Sequence, residues 1–233
     1  MILSLHQPHY LPWLGYFHKI AASDCFVFLD CVQYKPREFQ NRNKIRTENS
    51  WIWLTVPVQA KHKGRQPIRE VMIDNELPWM RQHAKSLQTW YARAPYFKEY
   101  FPFFEDVYRK TWERLEDLNV CIIRYILKQL SIETPIHFES DCNILGAKTD
   151  RIIELCKKMD ADTYLSGAGG RQYLEEDKFA DAGITLKYQE FIHPKYCQQF
   201  LARTEDFIPF LAAIDLLFNE GYKSKEILCN SSK

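Results

Sequence analysis

The chain predicts an α/β fold: a mostly parallel, Rossmann-like sheet with a helical insertion. Three observations carry this reading. Short apolar runs alternate with amphipathic runs along most of the length. The first such unit, strand–turn–helix–strand, starts at the first residue, and its two apolar runs end on His6 and Asp30. A glycine-rich turn, Ser166–Gly170, lies between a later apolar run and a later amphipathic one.

The elements follow in order. Ile2 to Leu5 is a buried strand that stops at a polar–aromatic knot, His6 to Trp13. Trp13, Tyr16, Phe17, Ile20 and Ala21 share one face of a helix, and Cys25 to Leu29 is the second strand. Residues 31–50 show neither helical nor strand periodicity. Trp51 to Val58 is a strand by its β-branched and aromatic content, with Pro57 near its end. Residues 59–69 carry Lys61, His62, Lys63, Arg65 and Arg69 without an acidic side chain. They read as a basic loop, followed by a short strand from Glu70 to Ile73. Residues 78–130 are helical, punctuated by Pro95 and Pro102 into two or three helices. Their aromatic load, from Trp79 to Trp112, suits an insertion packed on the sheet. The spacing then predicts a strand at Ile136–Phe138, a helix over 148–159 and a strand over 161–165. Beyond the glycine turn it predicts a helix over 173–182, a strand over 184–188 and a last helix over 207–219. With no linker or repeat, 1–233 reads as a single α/β domain with its insertion at about 78–130.

Composition narrows the function classes. Apolar residues are 46% and charged residues 26%, as in ordinary globular proteins, and the net charge is +1. That balance argues against nucleic-acid binding through overall charge. Aromatic residues are 15% of the chain, enough to line pockets as well as fill the core. No apolar run reaches the roughly 18 residues of a membrane span. The N-terminus lacks the basic-then-apolar pattern of a signal peptide. Seven scattered cysteines without a C-x-x-C pair imply reduced thiols and a cytoplasmic protein.

Three clusters can carry chemistry. The first is His6, Gln7, His9 and Tyr10 at the end of the first strand, where helix N–H groups and ligands meet. Imidazoles there act as acid or base or polarise a phosphate. The alternative is a capped turn whose histidines satisfy backbone groups. The second runs from Asp30 through Gln33, Arg37, Asn41 and Arg42. Arginine grips phosphate or carboxylate in a fork, and amides read sugar or base edges; the alternative is a solvated loop. The third is Ser166, Gly167, Gly169, Gly170 and Tyr173. Glycines there admit an anion to backbone N–H groups, although a tight turn also needs glycine. Ser166 lacks a G-x-S-x-G context and is not a hydrolase nucleophile. His6-Gln-Pro-His9 and the cysteines lack zinc spacing, so no metal site is expected.

Four motifs identify a family. H-Q-P-x-Y-x-P-W-x-G-Y spans His6 to Tyr16, and F-x-x-x-D-x-V-Q-Y spans Phe26 to Tyr34. Q-N-R-N-K-I spans Gln40 to Ile45, and Y-L-S-G-x-G-G-x-x-Y-L spans Tyr164 to Leu174. In order and over most of its length, the chain resembles the WbqC-like family. Members tend to occur among bacterial genes for surface polysaccharide, including O-antigen. The resemblance therefore implies work on a sugar nucleotide or an amino-sugar substituent. The opening unit also resembles that of the nucleotidylyltransferase superfamily, in which an H-x-G-H motif holds ATP phosphates. Laid over Gly15, that motif reads Trp13-Leu14-Gly15-Tyr16 here, so both histidines are missing and His6 and His9 lie upstream.

The leading expectation is an enzyme that forms an amide by transferring an acyl or aminoacyl group, with activation by ATP or another nucleotide and with Mg²⁺ as a candidate. His6 and His9 would stabilise phosphate charge. Arg37, Arg42 and the glycine turn would hold the anion, and Asp30 would orient the nucleophile. The alternatives are a transferase using a preactivated donor such as a sugar nucleotide, and a noncatalytic binding protein of polysaccharide assembly. In the last case the aromatic region 79–112 would be the partner surface. The expected partner is a small molecule or sugar nucleotide, with no nucleic acid; the oligomeric state stays open.

Overall fold

A computed structural model describes residues 1–59, 64–201 and 206–230. The strands are β1 (Ile2–His6), β2 (Cys25–Phe28), β3 (Arg42–Arg46), β4 (Trp51–Thr55), β5 (Ile136–Phe138), β6 (Thr163–Ser166) and β7 (Thr185–Tyr188). The helices are α1 (Leu14–Ala21), α2 (Trp79–Tyr91), α3 (Phe97–Arg109), α4 (Leu115–Gln129), α5 (Lys148–Lys158), α6 (Glu176–Asp181), α7 (Ile214–Glu220) and α8 (Ser224–Cys229).

Five strands form one sheet in the order β5-β2-β1-β6-β7, and every pair is parallel. Counted along the chain, this is third-second-first-fourth-fifth, the Rossmann order. The order reverses between β1 and β6, so the chain leaves these neighbouring strands in opposite directions and opens a crevice at their carboxyl ends. Register puts His6 beside Phe28, Phe28 beside Phe138, and Ser166 beside Tyr188.

The period-two alternation of β2 divides the core. Phe26 and Phe28 join one apolar cluster with α1 to α4, α7 and α8, while Cys25 and Val27 join a second with α5 and α6. Buried on both faces, such strands read as continuous apolar runs, which is why they stand out in the sequence.

Several expectations need correction. The stretch 31–50 contains β3, which pairs antiparallel with β4, from Arg42↔Thr55 to Arg46↔Trp51. Its inward Asn43 and Ile45 alternate with Arg42 and Lys44, and buried Asn43 donates to the Leu11 carbonyl at 2.6 Å, so a polar residue occupies a core position. Residues 70–73 form isolated bridges, Val58 to Ile73 and Met72 to Arg114, rather than a strand. Pro102 lies inside α3 and does not interrupt it; the loss is one backbone bond to Lys98, and the helix buries Phe97, Tyr100, Phe101, Phe104 and Tyr108. The region expected to be one helix over 207–219 is irregular up to Ala213, and the expected helix over 173–182 begins at Glu176. The rings proposed as a partner surface are mostly core: Trp79, Tyr91, Phe104 and Tyr108 are buried, and Phe103 stacks on Tyr125 at 3.6 Å. Lys61, His62 and Lys63 of the expected basic loop lie outside the described residues. Among the described residues no helix is long and apolar enough to cross a membrane, and all seven cysteines are free.

Candidate functional site

The crevice at the switch point has two lobes of about 290 and 310 Å³ that share His6, Lys19, Gly167 and Gly169. Trp13, Gly15, Tyr16, Gln189 and Phe191 close one lobe. Gln7, Leu29, Ile152, Tyr164, Ser166 and Tyr173 close the other. A larger hollow of about 520 Å³ at the end of α4, around Arg124 and Lys128, is lined by no deeply buried titratable group.

Lys19 forms the floor. It sits on α1, whose residues from Leu14 to Ile20 are all buried, so its side chain is enclosed and 3% exposed. Its Nζ donates to the Leu5 carbonyl at 2.8 Å. Burial pulls its pKa from 10.5 down to about 7. Among the described residues it has no carboxylate partner.

The two imidazoles of the knot stand edge to face, 4.4 Å apart. His6 Nδ1 lies 3.2 Å from the Gln7 carbonyl, which requires the Nδ1–H tautomer and leaves Nε2 as the acceptor. Burial first, then the positive charge of Lys19, lowers the pKa of both rings, and His9 falls to about 3. Both are therefore neutral near pH 7. The histidines expected to stabilise phosphate charge are thus neutral, chiefly through burial, and the group here that can carry positive charge near pH 7 is Lys19, which titrates at about 7. His9 is held between Tyr16 and Phe39, at 5.5 and 6.0 Å.

The glycines separate by role. A Cβ on Gly170 would lie 2.1 Å from Ser166 Oγ, and one on Gly15 would lie 2.2 Å from the Trp13 indole. Both are glycine because their neighbours fill the space. A Cβ on Gly169 would meet nothing within 4 Å, and one on Gly167 only Lys19 Nζ at 3.9 Å. Neither needs a left-handed backbone. Their missing side chains keep open the part of the crevice that faces the ammonium, where a ligand can approach the backbone.

The structure thus brings together His6, Gln7, Ser166, Gly167, Gly169, Gly170 and Tyr173, and places the other candidates elsewhere. Tyr10 is fully buried, bonded to His83 Nδ1 at 2.8 Å and Tyr108 Oη at 2.5 Å, so it ties the knot to α2 and α3. Asn41 donates to the Val56 carbonyl at 2.8 Å. Arg42 lies over the Trp53 ring at 4.2 Å and bonds the carbonyl of exposed Arg37. Gln33 is exposed and bridges Pro67. Asp30 is buried past the end of β2, where its Oδ1 accepts from the Ser140 amide at 3.0 Å. None of these six lines the crevice, and His9 stands behind His6 rather than on the crevice surface. From that stretch Gln40 reaches a crevice residue, donating to Gln7 Oε1 at 2.9 Å.

Sequence reasoning missed Lys19. The available signal was a lysine between Tyr16 and Ile20 in a helix with little polar surface. It also missed Gln189, whose Nε2 donates to the Gly15 carbonyl at 2.8 Å and so fastens the β7 end to α1.

The WbqC-like protein family model matches residues 7–227, and the chain belongs to that family. An uncharacterized Mycobacterium tuberculosis protein, Rv1507c, is 32% identical over 227 residues, covering 97% of this chain and 96% of its own. No solved structure matches.

Proposed function

We propose that this WbqC-like protein is an amide-forming enzyme of bacterial surface-polysaccharide or amino-sugar synthesis. In this reading it binds a phosphorylated, activated acyl or aminoacyl donor at the switch point and passes the acyl group to an amine. The observation that carries the proposal is Lys19: a buried ammonium without a carboxylate partner, at the ligand-binding end of a Rossmann-ordered sheet. A phosphate beside Lys19 favours its charged form, so the site gains a proton as the anion enters.

The other residues take roles that follow from their geometry. Gly167 and Gly169 let the anion reach the backbone. In this reading the His6 Nε2 lone pair, left free by the Nδ1 contact with Gln7, would accept a proton from the attacking amine, and a cation near developing phosphate charge would lower the barrier. A donor that is already a sugar nucleotide is the second reading. It is favoured by the rings of Trp13, Phe191 and Tyr173 at the two lobes, which offer stacking surfaces for a base or sugar.

Incubating the full chain with ATP, candidate acids and amino sugars tests the first reading. Pyrophosphate release with an ATP-dependent amide is expected. If no acid gives an amide, and thermal shifts occur with sugar nucleotides but not with ATP, the second reading replaces it. No shift with either ligand class removes both.

A further inference from the structure

One strand over from the crevice, the carboxyl ends of β2 and β5 hold a second, chemically distinct cluster. Asp30 follows β2, and Glu139 follows β5, its parallel neighbour. One ligand atom each from Asp30, Cys31 and Glu139 lies within 4.8 Å of the others. Asp30 is 1% exposed and Glu139 is 2% exposed.

Two further features set this group apart from an ordinary surface acid cluster. Neither carboxylate oxygen of Glu139 has a hydrogen bond of full geometry; the Arg151 guanidinium pairs with Oε1 at 3.0 Å, and the Cys31 backbone N–H adds a weaker stabilisation. Glu116, buried on α4, comes within electrostatic reach of Asp30, and its Oε1 also has no hydrogen-bond partner. Buried carboxylate oxygens ordinarily find donors or bind a metal.

We propose that Asp30, Cys31 and Glu139 hold a divalent cation of the zinc type. Two carboxylates alone would suit a hard ion such as Mg²⁺, but the adjacent sulfur selects a borderline metal. Three protein ligands leave a tetrahedral ion one open position, the arrangement of sites that present the metal to a substrate or water. Ligand bonds of about 2.0–2.3 Å bring donor atoms within about 3.3–3.8 Å of one another, so donors that lie within 4.8 Å need draw together by roughly an ångström at most. Arg151 stays on Glu139 as an outer partner that fixes the carboxylate.

Titration of the chelator-treated full chain with Co²⁺, followed by equilibrium dialysis with Zn²⁺, tests the site. One ion per chain and a thiolate-to-cobalt charge-transfer band are expected. Cys31→Ser should abolish the band, and Glu139→Gln should weaken Zn²⁺ binding by more than the roughly 10–100-fold of an outer-shell change. Cys197→Ser, which changes an exposed thiol, should leave both signals intact. If Glu139→Gln does not fold, the partly exposed Cys31 decides alone. No stoichiometric binding overturns the proposal, and so does a band that survives in Cys31→Ser.

Discussion

Lys19→Met should make the folded protein more stable near neutral pH while removing its affinity for the anionic donor. The magnitude follows from the burial of Lys19. A lysine that titrates near 7 instead of 10.5 costs the fold about 5 kcal/mol when charged, at about 1.4 kcal/mol per tenfold change in equilibrium. Methionine retains the aliphatic stem but leaves the Leu5 carbonyl without its donor, a loss of about 1–3 kcal/mol. The net expectation below pH 7 is a gain of about 2–4 kcal/mol. The sign then changes with pH. Between 7 and 10.5 the unfolded lysine holds a proton that the folded one has lost, so wild-type stability climbs through this window. Above it the penalty is gone and the variant should be the less stable protein by about 1–3 kcal/mol. Urea unfolding of both proteins at pH 6, 8 and 10 measures this, with thermal shifts by phosphorylated donors as the binding readout. A variant destabilised equally at all three pH values would refute a depressed Lys19. A variant that still binds the donor as wild type does would refute its role in the site.

Three other changes have defined outcomes. Gly170→Ala must displace Ser166 and should cost about 1–3 kcal/mol, whereas Gly169→Ala meets nothing within 4 Å and should leave the melting temperature unchanged while weakening donor binding; melts with and without ligand separate them. Glu116 has its pKa raised to about 7 by burial and then by Asp30, so the folded state keeps a proton that the unfolded state loses. Stability should fall by about 3 kcal/mol as pH rises from 4.5 to 7, and Glu116→Gln should flatten that limb in a pH series of urea midpoints. Asp215, fully buried, accepts from Tyr91 at 2.8 Å, Tyr196 at 2.7 Å and Gln198 at 2.9 Å; Asp215→Ala strands three donors and should cost about 3 kcal/mol or more by chemical denaturation.

The centre of the sheet was legible because β1, β2 and β6 are buried and read as short, mostly apolar runs, whereas the edge strands β5 and β7 alternate exposed and half-buried residues. The crevice was half legible. His6, Gln7 and the glycine turn announce themselves as polar or glycine-rich interruptions after such runs, where a Rossmann sheet binds ligands. β3 was hidden because Arg42, Asn43, Lys44 and Arg46 imitate a loop. Its buried polar groups are satisfied by the Asn43 bond and, on the opposite face, by Arg46, which donates to Gln198 at 3.0 Å; neither leaves a periodic trace. Tyr10, Asn41 and Arg42 were misplaced for a related reason. A polar side chain next to a site can hydrogen-bond into the scaffold, and composition does not say which way it turns. Lys19 escaped because a lysine on a helix is ordinarily solvated. Only the burial of α1 from Leu14 to Ile20 makes it exceptional.

Charge placement along the carboxyl edge limits what the ligand can be. Lys19 stands between β1 and β6 without a carboxylate, while Asp30, Glu116 and Glu139 gather at β2 and β5 with Arg69 and Arg151 as their nearby cations. Neighbouring strands are only about 4.8 Å apart, so one shifted carboxylate would have paired the lysine. A fold shaped by stability alone gains nothing from burying Lys19 apart from these acids: the lysine bears its desolvation cost without a Coulomb return, and the acids recover only part of theirs, through the Arg151–Glu139 ion pair. The separation is useful to a protein whose ligand carries both signs. On the two proposals above, a phosphate on Lys19 and a cation on Asp30, Cys31 and Glu139 would sit one strand apart, and each would offset the charge the other site leaves uncompensated. A single anionic ligand relieves only the lysine and increases the negative excess beside β2. The donor therefore should bind more tightly with the metal present than without it, and by linkage the metal should bind more tightly with the donor present.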